Sequence, residues 1–234
     1  MANLRLFATH PHDCSYLPDR IATTVFVDPQ AHIDQDVYSR LSEIGFRRSG
    51  QHLYKPQCKA CRQCIPARIP VHQFQPNRQQ RRCLKRNADL TVDTVDSIDS
   101  EEYFELYEKY INARHQDGDM YPPSRKQYDS FLTSEWGVTR FITFRLNDKL
   151  VSVAVIDVLD NGLSAVYTFY DPDYPKRSFG TFAILCQIEQ AKALDLDSVY
   201  LGYWIRECIK MNYKTRFQPL ELYIEGTWAP EDPQ

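Results

Sequence analysis

Hydrophobic residues in the second half of the chain recur as short runs separated by turn residues, a pattern that predicts β-strands. The runs are TRFITFRL (139–146), KLVSVAVIDVL (149–159) and LSAVYTFYDP (163–172), with Asn147-Asp148 and Asn161-Gly162 as the turn pairs. GTFAILCQIEQAKALDL (180–196) predicts a helix with an inward face made of Phe182, Leu185, Ile188 and Leu194. SVYLGYW (198–204) and PLELYIEG (219–226) predict two more strands.

Three antiparallel strands, a helix and a further strand form the core order of GNAT-type acyltransferases. The second half is therefore predicted to be GNAT-like, in an α/β (α+β) chain with a mixed, mostly antiparallel sheet. The start of the helix, at residues 178–181, would point free backbone N–H groups at an anion. In acetyltransferases this anion is the pyrophosphate of coenzyme A. Arg177-x-x-Gly180-x-Phe182 keeps only part of the glycine-rich pattern, which argues against that donor.

The first half has a different pattern, with strands predicted at RIATTVFV (20–27) and ARIPV (67–71). Helices are predicted in IDQDVYSRLSEIG (33–45), in NRQQRRCLKRNADL (77–90), in SEEYFELYEKYINARH (100–115) and after Ser124, where Ser124-x-x-Gln127 is a capping-box pattern. The composition changes from basic to mixed near Asp89. We therefore predict a basic N-terminal domain over residues 1–89 and a GNAT-like domain over residues 90–234.

Positive charge is concentrated in one interval, although the formal net charge of the whole chain is −3. Residues 47–86 contain eleven Lys or Arg and no acidic residue: Arg47, Arg48, Lys55, Lys59, Arg62, Arg68, Arg78, Arg81, Arg82, Lys85 and Arg86. A solvated basic face is the simple interpretation. A phosphate backbone is the commonest reason to concentrate positive charge in an otherwise acidic chain, so nucleic-acid binding is favoured.

The seven cysteines raise the question of a metal. No apolar run approaches the roughly 18 residues that span a membrane, and the N-terminus lacks the features of a signal peptide, so a cytoplasmic protein is expected. Its cysteines should then be reduced thiols or metal ligands. Cys58-x-x-Cys61-x-x-Cys64, with Cys14 or Cys83 as a fourth ligand, suits structural zinc or an iron–sulfur cluster, and reduced thiols remain the alternative.

Several long blocks together resemble one family. They are CSYLPDRIATTVFVDP (14–29), GFRRSGQHLYKPQCKACRQCIPARIPV (45–71), YINARHQDGDMYPPS (110–124), YTFYDPDYPKRSFGTFAIL (167–185) and YLGYWIRECIKMNYKTRFQPLELYIEGTW (200–228). The chain resembles the bacterial aminoacyl-tRNA–protein transferases of the arginyltransferase family, and most closely its leucyl branch. That branch, the aspartate/glutamate leucyltransferases, moves leucine from leucyl-tRNA to the N-terminal amine of proteins that begin with Asp or Glu, which marks them for degradation.

The resemblance implies partners and roles. Leucyl-tRNA and proteins with N-terminal Asp or Glu would be the partners, no membrane is involved, and no cofactor is required for transfer. All of the basic residues above except Arg68 are the predicted tRNA contacts. In the wider family, the positions of Cys14 and of the Cys58 region are associated with a metal or an iron–sulfur cluster. The eukaryotic members have an adjacent cysteine pair there, which differs from this spaced triplet.

An aminoacyl ester is already activated, so direct attack by the amine is predicted, without an acyl-enzyme. His115, Tyr170 and Asp171 are the candidate catalytic residues. Arg114, Arg177, Lys214 and Arg216 are the candidates for holding the acceptor carboxylate. The alternatives are an arginyl-tRNA–protein transferase, a metal-stabilised RNA-binding protein and a GNAT acetyltransferase.

Overall fold

The fold was obtained as a computed structural model, which describes residues 4–118 and 120–231. Residues 1–3 of the predicted N-terminal domain and 232–234 of the predicted GNAT-like domain lie outside these ranges, as does Asp119 of the block 110–124. The strands are β1 (Leu6–Ala8), β2 (His12–Asp13), β3 (Ile21–Ala22), β4 (Thr24–Val27), β5 (Arg47–Ser49), β6 (His52–Pro56), β7 (Ile65–Pro70), β8 (Thr91–Val95), β9 (Thr139–Leu146), β10 (Lys149–Val158), β11 (Gly162–Tyr170), β12 (Ser198–Trp204), β13 (Glu221–Ile224) and β14 (Thr227–Pro230). The α-helices are α1 (Gln35–Glu43), α2 (Arg78–Arg86), α3 (Glu101–Arg114), α4 (Arg125–Leu132) and α5 (Phe179–Ala193).

The largest sheet has eight strands in the order β14-β13-β7-β12-β11-β10-β9-β8. Only the β11–β12 pair is parallel, and every other pair is antiparallel. The predicted mixed, mostly antiparallel sheet is thus confirmed. The turn between β9 and β10 uses Asn147 and Asp148, whose φ angles of 48° and 65° suit a tight hairpin turn.

Helix α5 covers one face of this sheet through apolar side chains. Phe182, Leu185 and Ile188 are buried as predicted, and the Phe182 ring meets the Phe144 ring of β9 with centroids 5.4 Å apart. Leu194 is 51% exposed, so its predicted inward position is wrong. The reason is that α5 ends at Ala193 and Leu194 is the C-cap, where the chain leaves the face of the helix.

Helices α3 and α4 cover the opposite face with aromatic side chains. Tyr107 of α3 and Tyr128 of α4 are fully buried, and both rings pack edge-on against Phe169 of β11. The Ser124 hydroxyl caps α4 by accepting a hydrogen bond from the Gln127 backbone N–H, which is the serine half of the predicted capping box. Among the described residues, no α-helix has both the length and the apolar character needed to cross a lipid bilayer.

The first part of the chain builds a second, four-stranded sheet in the order β1-β4-β6-β5. The strand that follows in the chain, β7, does not join this sheet. It pairs with β12 and β13 inside the eight-stranded one. Helix α2 follows β7, and its buried Cys83 joins the same core cluster as α5. Both elements precede residue 89, so that boundary does not divide the chain into two separate sheets.

Candidate active site

Strands β11 and β12 part in the middle of the eight-stranded sheet. Their parallel ladder consists of three pairs and stops at Ser164 and Tyr200, although the strands continue to Tyr170 and Trp204. The pairing of β12 with β7 shifts register between Tyr200 and Gly202, next to the residue at which the β11–β12 ladder ends. We call the region between the two diverging strand ends the strand opening. Such a gap leaves backbone carbonyls that need other partners.

Arg47 supplies those partners from the second sheet. Its Nη2 donates to the Ala165 carbonyl oxygen at 2.6 Å, and its Nη1 to Ser164 Oγ at 3.0 Å and the Tyr200 carbonyl oxygen at 3.4 Å. A Cβ atom at Gly202, where φ is +78°, would come within 3.0 Å of Arg47 Nε. The guanidinium therefore lies between the parting strands and holds them in this arrangement.

Lys214 lies beside the strand opening, on the 3₁₀ segment Ile209–Arg216 that follows β12. Its side chain is 5% exposed, and Nζ donates to the Tyr203 carbonyl oxygen. Burial, reinforced by the positive charge of Arg47, lowers the pKa of Lys214 to about 7, while the thiols of Cys208 and Cys64 act in the opposite direction. Half or more of the Lys214 side chains are therefore uncharged above this pH.

Tyrosines line the end of β11. The Tyr110 ring of α3 contacts the Tyr170 ring with centroids 4.8 Å apart, and the Tyr167 ring at 6.3 Å. Burial raises the pKa of both Tyr110 and Tyr167, with neighbouring phenols adding to the effect. These two phenols therefore stay protonated at neutral pH and can donate hydrogen bonds.

Two buried nitrogen atoms near these strand ends have no hydrogen-bond partner among the described residues: His115 Nε2 and Trp204 Nε1. His115 caps α3, with its ring 5.2 Å from that of Tyr110. Burial, followed by the charge of Lys210, lowers the pKa of His115. Trp204 ends β12. Buried polar atoms normally find a partner, so both are groups that a bound substrate or a water molecule would satisfy.

Comparison with known proteins places this chain in a family. Two family models, described as the N terminus and the C terminus of arginine-tRNA-protein transferase, match residues 12–82 and 102–224. The chain belongs to the arginine-tRNA-protein transferase family.

Curated relatives in this family are similar over nearly their whole length. The chain is 60% identical to the aspartate/glutamate leucyltransferase of Teredinibacter turnerae, over 99% of this chain and 96% of that one. It is 59% identical to the enzyme of the same name from Pseudomonas putida, over 98% and 97%. It is 57% identical to that of Saccharophagus degradans, over 96% of both chains.

One solved structure has a similar fold. It is the C-terminal domain of a putative lysylphosphatidylglycerol synthetase from Agrobacterium fabrum. The TM-score is 0.53 at 14% identity, covering 82% of this chain and 62% of that one. At this identity the likeness shows the fold alone, and it agrees with the predicted GNAT-like architecture.

Asp171, a predicted catalytic residue, is buried and bonded to two lysine side chains. Its carboxylate is 1% exposed and accepts hydrogen bonds from Lys109 at 2.5 Å, from Lys149 at 2.9 Å and from the Asp173 backbone N–H at 3.1 Å. Burial raises the pKa of Asp171, but the two lysines outweigh burial, and the net pKa is lowered. Its predicted role as a catalytic residue is corrected, because the carboxylate is fully engaged in holding the end of β11.

The predicted acceptor cations do not form one group. The Arg177 guanidinium forms a fork with Asp89, at 2.5 and 2.9 Å, and is therefore not available to a substrate carboxylate. Lys214 is buried, as described above. Arg216 is exposed and lies beside a separate cavity near α2. Arg114 is exposed, follows Tyr110 by one helical turn, precedes His115, and forms no hydrogen bond or ion pair with the described residues.

The predicted tRNA contacts fall into two groups. The five on α2 are largely exposed: Arg78, Arg81, Arg82, Lys85 and Arg86. Arg48 needs correction, because its side chain is 0% exposed and pairs with the equally buried Asp157 at 2.6 Å. No phosphate can reach that guanidinium. Arg47 is likewise engaged between β11 and β12, so it is not free for a phosphate either.

The remaining predicted tRNA contacts lie in or before the cysteine loop, residues 57–64. Lys55 Nζ donates to the Ile44 carbonyl oxygen and stands 5.2 Å from the centre of the Tyr223 ring, and burial lowers its pKa. Arg62 donates to the carbonyl oxygen atoms of Cys58 and Cys61 and so braces the loop. Lys59 is exposed.

The cysteines remain free thiols. Burial, followed by the nearby Cys58, Cys14, Cys61 and Cys208, raises the pKa of Cys64 to about 12. The structure thus adds Cys208 to the predicted cluster, which spacing alone did not indicate. Within residues 4–118 and 120–231, no three His, Cys, Asp or Glu side chains are arranged to hold a metal ion. The thiols do not converge on one point in this arrangement, and no step below passes through a metal.

Proposed function

We propose that this chain transfers leucine from leucyl-tRNA to the N-terminal amine of proteins that begin with Asp or Glu. The observation that carries the proposal is its 60% identity to an aspartate/glutamate leucyltransferase over 99% of this chain and 96% of the relative. Over such a span, substrates are more often shared than changed. The strand opening, with unpaired polar nitrogen atoms near both strand ends, supports an acyl-transfer site in this sheet.

The reaction needs no acyl-enzyme. The α-amine attacks the ester carbonyl carbon of leucyl-tRNA, a C–N bond forms, and the carbonyl oxygen becomes an oxyanion. The C–O bond to the tRNA ribose then breaks, the amine nitrogen loses one proton and the ribose oxygen gains one. Buried thiols are poor nucleophiles, and burial raises the pKa of Cys64 and of Cys186 to about 12.

Trp204 and His115 serve the chemistry in this proposal. The Trp204 N–H is the donor for the oxyanion, since Nε1 is buried at the end of β12 and has no partner among the described residues. His115 accepts the proton from the amine through Nε2, because its lowered pKa keeps the imidazole neutral. Tyr170 positions the Tyr110 ring by contact.

Arg114 holds the side-chain carboxylate of the acceptor in this proposal. Among the four predicted cations, it is exposed, next to His115 and without an ion pair to the described residues. A guanidinium can bond both oxygen atoms of an Asp or Glu carboxylate.

The test is a transfer assay with two donors and four acceptors. Labelled leucyl-tRNA and arginyl-tRNA are supplied separately with peptides that begin with Asp, Glu, Lys or Ala. We expect label only with leucyl-tRNA and only on the Asp and Glu peptides. Label transferred from arginyl-tRNA would indicate the arginyl activity instead. Binding of tRNA without any transfer would favour an RNA-binding protein, and acetyl transfer from acetyl-coenzyme A would favour an acetyltransferase.

A further inference from the structure

A cavity of about 280 Å³ lies between α2, the N-terminal end of α5 and the end of the segment after β12. Three of the residues that line it are arginines, namely Arg82, Arg86 and Arg216. Ser178 and Thr181 of the α5 entry line it as well, and no Asp or Glu does so. We call this cavity the arginine pocket.

The positive charge of the arginine pocket is not compensated by the protein. Arg82 and Arg216 are exposed and form no ion pair or side-chain hydrogen bond with the described residues. Nearby, Arg177 is neutralised by the Asp89 carboxylate in a two-bond fork. The chain therefore pairs one arginine at this junction and leaves two unpaired around a cavity. An anion would be favoured there because arginine forks match planar or tetrahedral oxyanions.

The walls of the pocket are fixed by buried hydrogen bonds. The Gln80 side chain, on a residue only 4% exposed, donates to the Arg216 carbonyl oxygen at 2.9 Å and accepts from the Asn77 backbone N–H at 2.8 Å. These bonds join α2 to the segment that carries Arg216. The pocket is thus a built cavity, not a chance gathering of mobile side chains.

The entry of α5 leaves room for an anion on the remaining wall. Ser178, at φ +54°, makes no capping hydrogen bond, and nothing lies within 4 Å of the position of a Cβ atom on Gly180. The opening above Gly180 allows a ligand to approach the backbone. The exposed arginines then supply the charge that the helix end by itself would not provide.

The arginine pocket adjoins the proposed transfer site on two sides. Phe179, the first residue of α5, packs against the Tyr170 ring with centroids 6.1 Å apart. Arg216 follows Lys214 by two residues, and Lys214 bonds the Tyr203 carbonyl of β12. A polyanion whose end reached the strand opening would pass this pocket.

We infer that the arginine pocket binds a backbone phosphate of the single-stranded 3′ end of the charged tRNA, an inference that rests on the proposed function. Arg82 and Arg216 would grip the phosphate from two sides. This interaction would set the distance between the terminal ester and the strand opening.

The experiment measures binding, so it does not depend on transfer. Wild-type protein, Arg82→Gln, Arg216→Gln and the double variant are titrated with an acceptor-stem minihelix ending in CCA. A second set of minihelices carries one neutral methylphosphonate in place of each 3′ phosphate in turn. Arg140→Gln, a partly exposed arginine of β9 that is paired with Asp96 and lies outside every proposed site, is the control. Thermal unfolding confirms that each variant is folded.

We expect the double variant to bind the normal minihelix about 10- to 100-fold more weakly, as for the removal of charged hydrogen bonds. The slope of log affinity against log salt should also decrease by about one for each phosphate that the variant no longer binds. One methylphosphonate position should weaken wild-type binding and leave the double variant unchanged. Equal affinity in the double variant, or the same methylphosphonate effect in both proteins at every position, would overturn the inference.

Two further outcomes separate this inference from the proposed function. Wild-type protein that binds the minihelix but transfers no leucine would refute the proposed function, and the binding comparison would still decide the pocket. Coenzyme A that competes with the minihelix in wild-type protein but not in the double variant would overturn the inference. The phosphate source would then be a nucleotide cofactor.

Discussion

Lys214 places an amino group where a charge is unfavourable. It is 5% exposed, its amino group donates to a backbone carbonyl, and the nearby Arg47 repels a second cation. A lysine is retained here at a cost to stability. The free energy of unfolding should therefore depend measurably on whether Lys214 is charged.

We predict that Lys214→Met changes how stability depends on pH. The folded-state pKa of about 7 lies below the unfolded value, so between pH 7 and about 10 the unfolded chain binds a proton that the folded chain lacks. Stability contributed by this group thus rises with pH in that window, by at most about 1.4 kcal/mol per pH unit. Urea unfolding should find Lys214→Met more stable than wild type at pH 7, with the difference shrinking at pH 9. Parallel pH profiles of the two proteins would contradict the assignment.

A second prediction concerns acceptor recognition. Arg114→Ala should raise KM for an Asp-peptide by about 10- to 100-fold, the expected effect of removing a charged hydrogen bond. The affinity for leucyl-tRNA should stay unchanged, since the donor binds elsewhere. Lys126→Ala, an exposed cation on the neighbouring α4, serves as the control. Wild-type kinetics for Arg114→Ala would move acceptor recognition to another residue.

The candidate site shows which residues could be predicted from the sequence. His115 was predicted because it is the only histidine after residue 72, and Arg114 because it lies beside His115; both roles stay predictions. Arg48 and Asp171 were misassigned because the sequence shows a charge but not its partner, here Asp157 in one case and two lysines in the other. Trp204 was missed because its unpaired N–H becomes visible only when the surrounding contacts are known.

Strands β5 and β10 are joined by a buried ion pair that connects the two sheets. Arg48 bonds Asp157 through Nε at 2.6 Å and Nη2 at 2.9 Å. Tyr38 and Thr139 donate to the same carboxylate at 2.9 and 2.7 Å. Both side chains are fully buried, so each charge relies on the other for its compensation.

Arg48→Met should therefore destabilise the protein by about 3–5 kcal/mol, because it leaves a buried carboxylate without its counter-charge. The double variant Arg48→Met, Asp157→Leu should recover part of this stability. Arg40→Met, which breaks the exposed Arg40–Asp36 pair, should change stability by less than about 1 kcal/mol. Denaturant unfolding measures all three. Equal effects at Arg48 and Arg40 would rule out the buried pair as the connection between the sheets.

The cysteine loop carries a prediction about metal content. Protein purified without oxygen should contain about one equivalent of zinc or iron, and Cys61→Ser with Cys64→Ser should lose it. Binding would require the loop to move, since the described thiols do not converge. Cys186→Ser, on α5, is the control. Elemental analysis that finds neither metal would establish these cysteines as reduced thiols.

Most elements of the second half could be predicted because their signals are local. Turn pairs delimit β9, β10 and β11, and apolar spacing defines α5. Strands β5 and β6 were not predicted, because most of their residues are charged or polar. Their extended conformation depends on the pairing of the two strands with each other. The position of β7 could not be predicted either, because its partners lie more than 120 residues further along the chain.

At the scale of the whole molecule, the exposed cations of α2 give the protein a basic side. Replacing Arg81, Arg82 and Arg86 by Glu should weaken tRNA binding and raise KM for leucyl-tRNA, and wild-type affinity should fall steeply with salt. Reversing three cations elsewhere, Lys126, Arg140 and Lys192, should have a much smaller effect. Filter binding across a salt series measures both. Unchanged affinity in the α2 variant, with the fold intact, would remove this helix from the tRNA site.

The place of β7 has a consequence for how the chain is made. On the ribosome, residues 65–70 emerge long before β12 and β13, the two strands that flank β7 in the sheet. Until then both edges of a mostly apolar strand are open, and open edges are where nascent chains aggregate. The eight-stranded sheet can be completed only after β13 and β14 have been synthesised. The nascent protein therefore depends on late folding, and a chaperone that shields β7 would raise its yield.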